Sequence, residues 1–419
     1  RLEASSTMAK ARAASRTENA EIPEQVASWK VDSRDLVAHH AMIDIPQDLI
    51  IQIIDLLGED AAALKACSLV SSSFRDHSQR HLFRSITLDF KHPSQQILLH
   101  EAFMSNPALP DFVLYLEVIL LKCRAVAAYD VLRQLHRVRG VTLDPDYDDF
   151  ETRWKDLHIQ TRDSLTCVIC LPTCQYLSLG SNIYFPREFL VQLTHLRHFH
   201  FTCASSLISH HQEDTDKECH PQLTQGEGFL ESLGTFNYMP STLELLRSPA
   251  PLPLARLRRC FLQTMLNPDL QALFDLCPLL EMVHLNVISS FPSVNFSSLE
   301  YLRAVCINAS SKAGSENLAR ALVTLPSISQ LRLCVPEDVM TKEQWSSVDR
   351  FLAQEGDDHH NKKLRPRVVW YPEYPPMECE SLLKEKLPRL VEKGMVESAT
   401  ADLSSQDVCA TCAMPFWTL

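Results

Sequence analysis

The sequence predicts an α/β protein in which a short N-terminal helical bundle precedes an irregular solenoid, with parallel strands inside and helices outside. Three observations lead to this fold class. A helical pattern is confined to residues 44–90, a short apolar phrase recurs nine times after residue 82, and most intervals between its copies are similar in length. We expect a mobile tail at residues 1–43, the bundle at 44–90, the repeat domain at 91–355, and a connector, capping helix and tail at 356–419.

Composition places the chain among folded proteins that bind other proteins. Of its 419 residues 45% are hydrophobic and 22% are charged, which is an ordinary globular mixture. The net charge of -12 disfavours binding to nucleic acid. Apolar runs stay shorter than the ~18 residues of a membrane span. We therefore expect no membrane partner and a cytoplasmic and/or nuclear location, with the 14 cysteines reduced.

The bundle begins with an amphipathic helix between Pro46 and Gly58. Proline suits the first turn of a helix, and glycine suits the residue that ends one. Asp60 can cap a second helix, and Phe74 begins a third apolar pattern. Such a bundle is too small to bury its apolar face alone, so that face must pack against a neighbouring domain or a partner. The apolar residues of the first helix share one side: Leu49, Ile50, Ile53, Ile54 and Leu57.

The order of these residues resembles an F-box. The resemblance is carried by Ile45-Pro46-Gln47-Asp48-Leu49-Ile50, by Leu64-Lys65-Ala66-Cys67-Ser68-Leu69-Val70 and by Phe74. The following run, His81 to Leu88, is similar to the variety found in basidiomycete fungi. A C-terminal phrase, Leu387-Pro388-Arg389-Leu390, extends the likeness. Three positions depart from the family pattern, with Ile45 for a usual Leu, Ser71 for a common Cys and Phe74 for the usual Trp.

The resemblance implies that the bundle docks on a Skp-type adaptor and so joins a cullin-RING ubiquitin ligase. An excess apolar stripe on a short helix is suited to a groove in a partner. The alternative interpretation is that the same stripe closes an intramolecular cap on the following domain. The residues that we expect to contact the adaptor are Pro46, Leu49, Ile50, Ile53, Leu57, Leu64 and Val70.

The remainder of the chain repeats a phrase in which apolar residues occupy the first, fourth and sixth positions. The intervals between copies centre on the period of leucine-rich repeats, roughly 20 to 29 residues, in which each phrase forms a strand. The interval from Leu196 to Leu257 is wide enough for a further, diverged copy, and the polar segments 144–154 and 205–234 are expected to be surface loops. An ordinary α/β domain is the alternative. The copies are Phe83-Ile86-Leu88, Val113-Leu116-Val118, Val138-Val141-Leu143, Cys174-Leu177-Leu179, Leu196-Phe199-Phe201, Leu257-Cys260-Leu262, Leu280-Val283-Leu285, Leu302-Val305-Ile307 and Ile328-Leu331-Leu333.

The fifth position of each phrase should face away from the core, because side chains alternate along a strand. Stacked repeats would join these residues into one concave surface. Among them we expect His200, Phe261, His284 and Arg332 to contact a protein substrate, with Phe261 as an aromatic anchor. The alternative is that a loop or the C-terminal segment covers Phe261. The full row is Thr87, Glu117, Thr142, Ser178, His200, Phe261, His284, Cys306 and Arg332.

Signatures of enzymes, cofactors and metals are missing from the sequence. The nine glycines form no phosphate-binding or dinucleotide-binding spacing. The pairs Cys167/Cys170 and Cys409/Cys412 lack a second pair at zinc-site distance, and His198 and His200 lack a third ligand. We therefore expect no metal, no cofactor and no catalysis. The expected function is that of a non-catalytic substrate-recognition subunit of a Skp-cullin-F-box ligase. The alternative is a leucine-rich-repeat scaffold without ligase association.

Overall fold

The computed structural model divides the chain into two compact units, residues 1–51 and 52–419. Of the first unit it describes residues 45–51. The described ranges of the whole chain are 45–58, 60–121, 126–145, 152–180, 183–186, 189–190, 193–201, 207–208, 230–235, 254–264, 270–309, 311–326, 328–335, 338–354, 367–370 and 376–398.

Three short helices open the described chain, as the sequence predicts. They are α1 (Gln47–Leu57), α2 (Ala61–Val70) and α3 (Ser72–Leu82). Gly58 ends α1 with a positive φ of 51°, a conformation that glycine adopts without steric cost. The Asp60 carboxylate accepts hydrogen bonds from the backbone N–H groups of Ala62 and Ala63, and it thereby caps α2.

Helix α3 connects the helical segment to the repeats. Its Gln79 side chain accepts a hydrogen bond from Asn106, and the Arg80 guanidinium lies 5.4 Å from the centre of the Phe112 ring. At the end of α3, the Phe83 and Phe103 rings are 6.4 Å apart. These contacts join the helical segment to the first repeat without a free linker between them.

A twelve-stranded sheet forms the spine of residues 85–398. Its order is β1-β2-β3-β5-β7-β9-β10-β11-β12-β13-β14-β15, and every pairing is parallel. The strands of this sheet pair in chain order and always in parallel, which is compatible with a solenoid-like α/β fold. The bounds are β1 (Ser85–Asp89), β2 (Tyr115–Leu120), β3 (Gly140–Pro145), β5 (Tyr176–Leu179), β7 (His198–Phe201), β9 (Ser232–Thr235), β10 (Arg259–Thr264), β11 (Met282–Val287), β12 (Ala304–Ala309), β13 (Gln330–Cys334), β14 (Arg367–Trp370) and β15 (Val396–Ser398).

The apolar phrase explains this register. The residues at its fourth position pair with one another across the sheet, as do those at its sixth position, so the two apolar rows stack continuously. Nearly all of these side chains are buried, and they form one core with the residues at the first position. The near-uniform interval between copies therefore reflects one strand of the main sheet per copy of the phrase.

Helices lie between many of the strands along the chain. They are α4 (Pro93–Ser105), α5 (Val126–Gln134), α6 (Ile159–Ile169), α7 (Leu270–Phe274), α8 (Ser315–Leu322), α9 (Lys342–Gln354), α10 (Pro376–Lys386) and α11 (Pro388–Glu392). Short 3-10 helices occur at Leu109–Phe112, Trp154–Asp156 and Leu254–Arg256. Three small strands, β4 (Thr152–Arg153), β6 (Ile183–Pro186) and β8 (Leu207–Ile208), form a second parallel sheet.

Three segments that we expected to be loops or connectors contain regular structure. Trp154, at the end of the acidic segment 144–154, is buried, and its ring centre lies 4.7 Å from that of Phe185. The polar segment 205–234 contains β8 and most of β9, and β9 is the diverged copy expected between Leu196 and Leu257. Strand β14 lies in the expected connector, so the sheet continues past residue 355. Residues 146–151 and 209–229 are outside the described ranges.

The C-terminal end of the repeats is closed by a buried carboxylate. Asp349 on α9 is 2% exposed, and its two oxygens accept the backbone N–H groups of Arg389 and Leu390 at 3.2 and 3.1 Å. Lys393 donates a hydrogen bond to the carbonyl of Ala353 at 2.8 Å. Helix α11 is thus attached to α9 at its N-terminal end, where a negative charge also complements the helix dipole.

Candidate binding face of the parallel sheet

The residues at the fifth position of the phrase lie side by side across the sheet. We call them the central row. The pairings confirm the register that the sequence predicts for this row, and they add Gly234, Val369 and Glu397 to it. The pairs in order are Thr87↔Glu117, Glu117↔Thr142, Thr142↔Ser178, Ser178↔His200, His200↔Gly234, Gly234↔Phe261, Phe261↔His284, His284↔Cys306, Cys306↔Arg332, Arg332↔Val369 and Val369↔Glu397.

The stretch of the central row from Phe261 to Arg332 combines aromatic rings with a guanidinium group. The Phe261 and His284 rings are 6.0 Å apart with an interplanar angle of 31°, and both side chains are half-buried. Cys306 is buried between His284 and Arg332 in the row. With the Gln330 amide oriented so that its oxygen accepts, Nε and Nη2 of Arg332 both donate to it at 3.0 Å. The guanidinium is therefore held along its own strand.

The middle of the central row is tightly packed around two histidines. His198 Nδ1 is 2.8 Å from the Ser232 hydroxyl, and His200 Nδ1 is 3.3 Å from the Ser178 hydroxyl. Burial lowers the pKa of His200 to about 4. Burial also lowers the pKa of His198, where nearby Arg259 and Arg197 add to the effect and Glu231 opposes it. Both imidazoles are therefore neutral at pH 7.

Gly234 leaves the space that the His200 ring occupies. A Cβ atom at Gly234 would lie 2.2 Å from Cδ2 of His200, which is far inside van der Waals contact. The phrase of β9 thus carries Gly234 at its fifth position because the ring of His200, on the neighbouring strand β7, lies over the Gly234 backbone. Of the four residues expected to contact a substrate, His200 belongs to this packed region, whereas Phe261, His284 and Arg332 lie together further along the row.

The first third of the face carries carboxylates. Thr87 donates a hydrogen bond to Glu117 at 2.7 Å, and Asp89 and Asp144 lie near the C-terminal ends of their strands. Tyr115 and Tyr176 flank Gly140, since a Cβ atom there would lie 3.0 and 3.1 Å from their Cδ1 atoms. Two tyrosine rings therefore lean over the glycine between them. The central row therefore carries a carboxylate near its β1 end, and the aromatic rings and Arg332 lie further along it.

The expected adaptor contacts divide into exposed and buried residues. Pro46, Leu49, Ile53 and Val70 are exposed, and Leu57 is half-buried. Ile50 and Leu64 are 4% and 2% exposed. Two residues that we did not select, Leu56 and Leu69, are 87% and 81% exposed. The helical period identified the amphipathic stripe but not which edge of it the fold covers.

Seven cysteines within the described ranges are free thiols: Cys67, Cys167, Cys170, Cys174, Cys260, Cys277 and Cys306. Cys167 on α6 is exposed, and Cys170, the residue that follows α6, is half-buried. Burial raises the pKa of Cys170 to about 11 and that of Cys174 to about 12, and nearby thiols add to both shifts. Within the described ranges no three His, Cys, Asp or Glu side chains converge as a metal site would require. The pair Cys409/Cys412 lies outside those ranges.

Comparison with known protein families and with curated proteins gives no match for this chain. Among the described helices, none has the length and apolar character needed to cross a membrane.

Proposed function

We propose that this protein is a substrate-recognition subunit of a Skp-cullin-F-box ubiquitin ligase, in which the N-terminal helices dock on the adaptor and the sheet face binds a protein substrate. The observation that supports docking most directly is the distribution of exposed apolar side chains. Six of the thirteen large apolar residues found exposed in the described ranges lie within residues 45–70. Water-exposed apolar side chains at this density are typical of a protein interface.

The second half of the proposal assigns substrate binding to Phe261, His284 and Arg332. An aromatic ring pair beside an oriented guanidinium combines the residue types that dominate binding energy at interfaces. The thiols of Cys260 and Cys277 are poorly suited to act as nucleophiles in catalysis. An attacking cysteine needs a lowered pKa, whereas burial raises the pKa of Cys277 to about 12 and that of Cys260 well above its ordinary value. In the proposed complex, the recruited ligase catalyses ubiquitin transfer.

Co-purification with a Skp-type adaptor tests the docking half. The full chain should capture the adaptor and its cullin, and Ile53→Asp or Leu56→Asp should abolish that capture. Charging an exposed side chain costs the fold little, because neither charge is buried. Leu98→Asp on α4 is the matched control, since Leu98 is also an exposed leucine on a helix, and it should leave capture intact.

A second variant tests substrate binding independently of adaptor docking. Phe261→Ala combined with Arg332→Ala should reduce the set of captured substrates while adaptor binding continues. Failure of the wild-type chain to capture any adaptor would instead favour a leucine-rich-repeat scaffold without ligase association. Full substrate capture by the double variant would place recognition elsewhere on the molecule.

A further inference from the structure

A column of arginines follows one edge of the main sheet. From β1 to β12, the residues immediately before the strands of the main sheet occupy the same level, and the backbone N–H of each one after the first donates to the carbonyl of the residue before it in the column, at 2.7 to 2.9 Å. Arginines precede every second strand of the main sheet in this range, namely β1, β3, β7, β10 and β12. We call this column the arginine edge; its members are Arg84, Leu114, Arg139, Gln175, Arg197, Glu231, Arg258, Glu281 and Arg303.

The arginine edge is locally basic in a chain whose net charge is -12. It contains five arginines and two glutamates, which give a net charge of +3. Arg84, Arg139, Arg258 and Arg303 are exposed, and Arg197 is half-buried. Asp89 and Asp144 lie near the opposite ends of their strands, away from the arginine edge.

Some of the charges within the arginine edge pair with each other. Arg258 Nη1 is 3.2 Å from a Glu281 oxygen, and Arg197 Nη1 is 3.9 Å from a Glu231 oxygen. These two pairs involve two of the five arginines, so they do not account for a column that runs along nine strands. No glutamate or aspartate occurs in the column between Arg84 and Arg197.

The spacing of the arginines restricts what can bind them. Neighbouring strands lie about 4.8 Å apart, so arginines on every second strand repeat at about 9.6 Å. A polyproline II helix rises about 3.1 Å per residue with three residues per turn, so every third side chain lies on one side at about 9.3 Å intervals. An acidic residue at every third position of such a segment would therefore meet successive arginines.

We propose that the arginine edge binds an acidic polypeptide segment in the polyproline II conformation, with a carboxylate at every third residue. Nucleic acid fits less well, because a strand carries a negative charge at every nucleotide and so cannot avoid Glu231 and Glu281. A polypeptide can place neutral residues opposite these two glutamates. This binding surface is separate from the central row and from adaptor docking.

Fluorescence anisotropy with two synthetic peptides tests the spacing. The labelled peptides are six Glu-Pro-Pro repeats and a block peptide of six glutamates followed by twelve prolines, which has the same composition. The full chain should bind the periodic peptide about tenfold or more tighter than the block peptide, as expected if several exposed ion pairs form together. Equal binding of the two peptides would overturn the inferred match in spacing.

A pair of charge-matched variants tests the location. Arg139→Glu with Arg303→Glu should weaken binding of the periodic peptide about tenfold, whereas Arg320→Glu with Arg350→Glu, on exposed positions of α8 and α9, should change it by about twofold or less. Equal losses in the two variants would overturn the location. Tighter binding of a 20-nucleotide oligothymidylate than of the periodic peptide would overturn the assignment to polypeptide. If the charge-reversed edge variant fails to fold, as judged by circular dichroism, Arg139→Gln with Arg303→Gln takes its place and should still weaken binding.

Discussion

Removal of the Asp349 carboxylate should open the C-terminal end of the repeats. The carboxylate is 2% exposed and accepts two backbone hydrogen bonds at the start of α11, from Arg389 and Leu390. Hydrogen bonds to a charged group contribute about 1.5 to 3 kcal/mol each, and part of that contribution is offset by the cost of burying the charge. We expect Asp349→Ala to lower the free energy of unfolding of this end by about 2 to 4 kcal/mol. Asp349→Asn keeps one acceptor oxygen and should cost about half as much.

The loss should be local, because each repeat of a solenoid contacts only its neighbours. Hydrogen exchange followed by mass spectrometry should show faster exchange in α11 and β15, with little change in β1 to β5. Asp275→Ala is the matched control. It also removes a carboxylate that accepts a hydrogen bond, from Gln271 at 2.9 Å, but Asp275 is exposed and its loss should cost about 0.5 kcal/mol or less. Unchanged exchange of α11 in Asp349→Ala, or a uniform increase over the whole sheet, would refute the reasoning.

Two further predictions follow from shifted pKa values. Burial lowers the pKa of His200 from 6.5 to about 4, so between these pH values the unfolded chain binds a proton that the folded chain does not. The free energy of unfolding should therefore fall by up to about 3 kcal/mol as the pH drops from 6.5 towards 4. Urea unfolding of wild type and His200→Gln at pH 7 and 4.5 measures this difference, and identical pH dependence of the two proteins would contradict it. Burial also raises the pKa of Cys174 and Cys277 to about 12. A disulfide reagent at pH 8 should modify the exposed Cys167 in the native protein and leave these two until the chain unfolds, as mass mapping would show; native labelling of Cys277 would argue against the burial.

The position of each residue within the repeated apolar phrase was enough to predict the register of the sheet. An apolar pattern of period two identifies which side of each strand is buried, and one strand per repeat then places equivalent residues of successive strands side by side. Phe261 and His284 belong to different repeats, yet their pairing follows from their shared position in the phrase. Strand β9 was missed because Thr235 replaces the last apolar residue of its phrase.

Features that depend on the finished fold were less accessible from the sequence. Trp154 lies in an acidic stretch, and only the position of Phe185 explains why it is buried. Ile50 and Leu64 share the helical stripes of their exposed neighbours, and periodicity does not distinguish them. The members of the arginine edge occupy the second position of successive phrases, but a pattern defined by apolar residues alone does not reveal that charge accumulates there.

The chain-order pairing of the strands has a consequence for synthesis on the ribosome. Strand β1 needs only β2, the next strand of the main sheet along the chain, and each added strand completes its hydrogen bonds with a strand already made. Contacts that are close in sequence form early, and domains of a growing chain can fold as they emerge. The repeats could thus fold one after another during translation. The Asp349 carboxylate, which must wait until Arg389 has been synthesised, would then be among the last groups to find its hydrogen-bond donors.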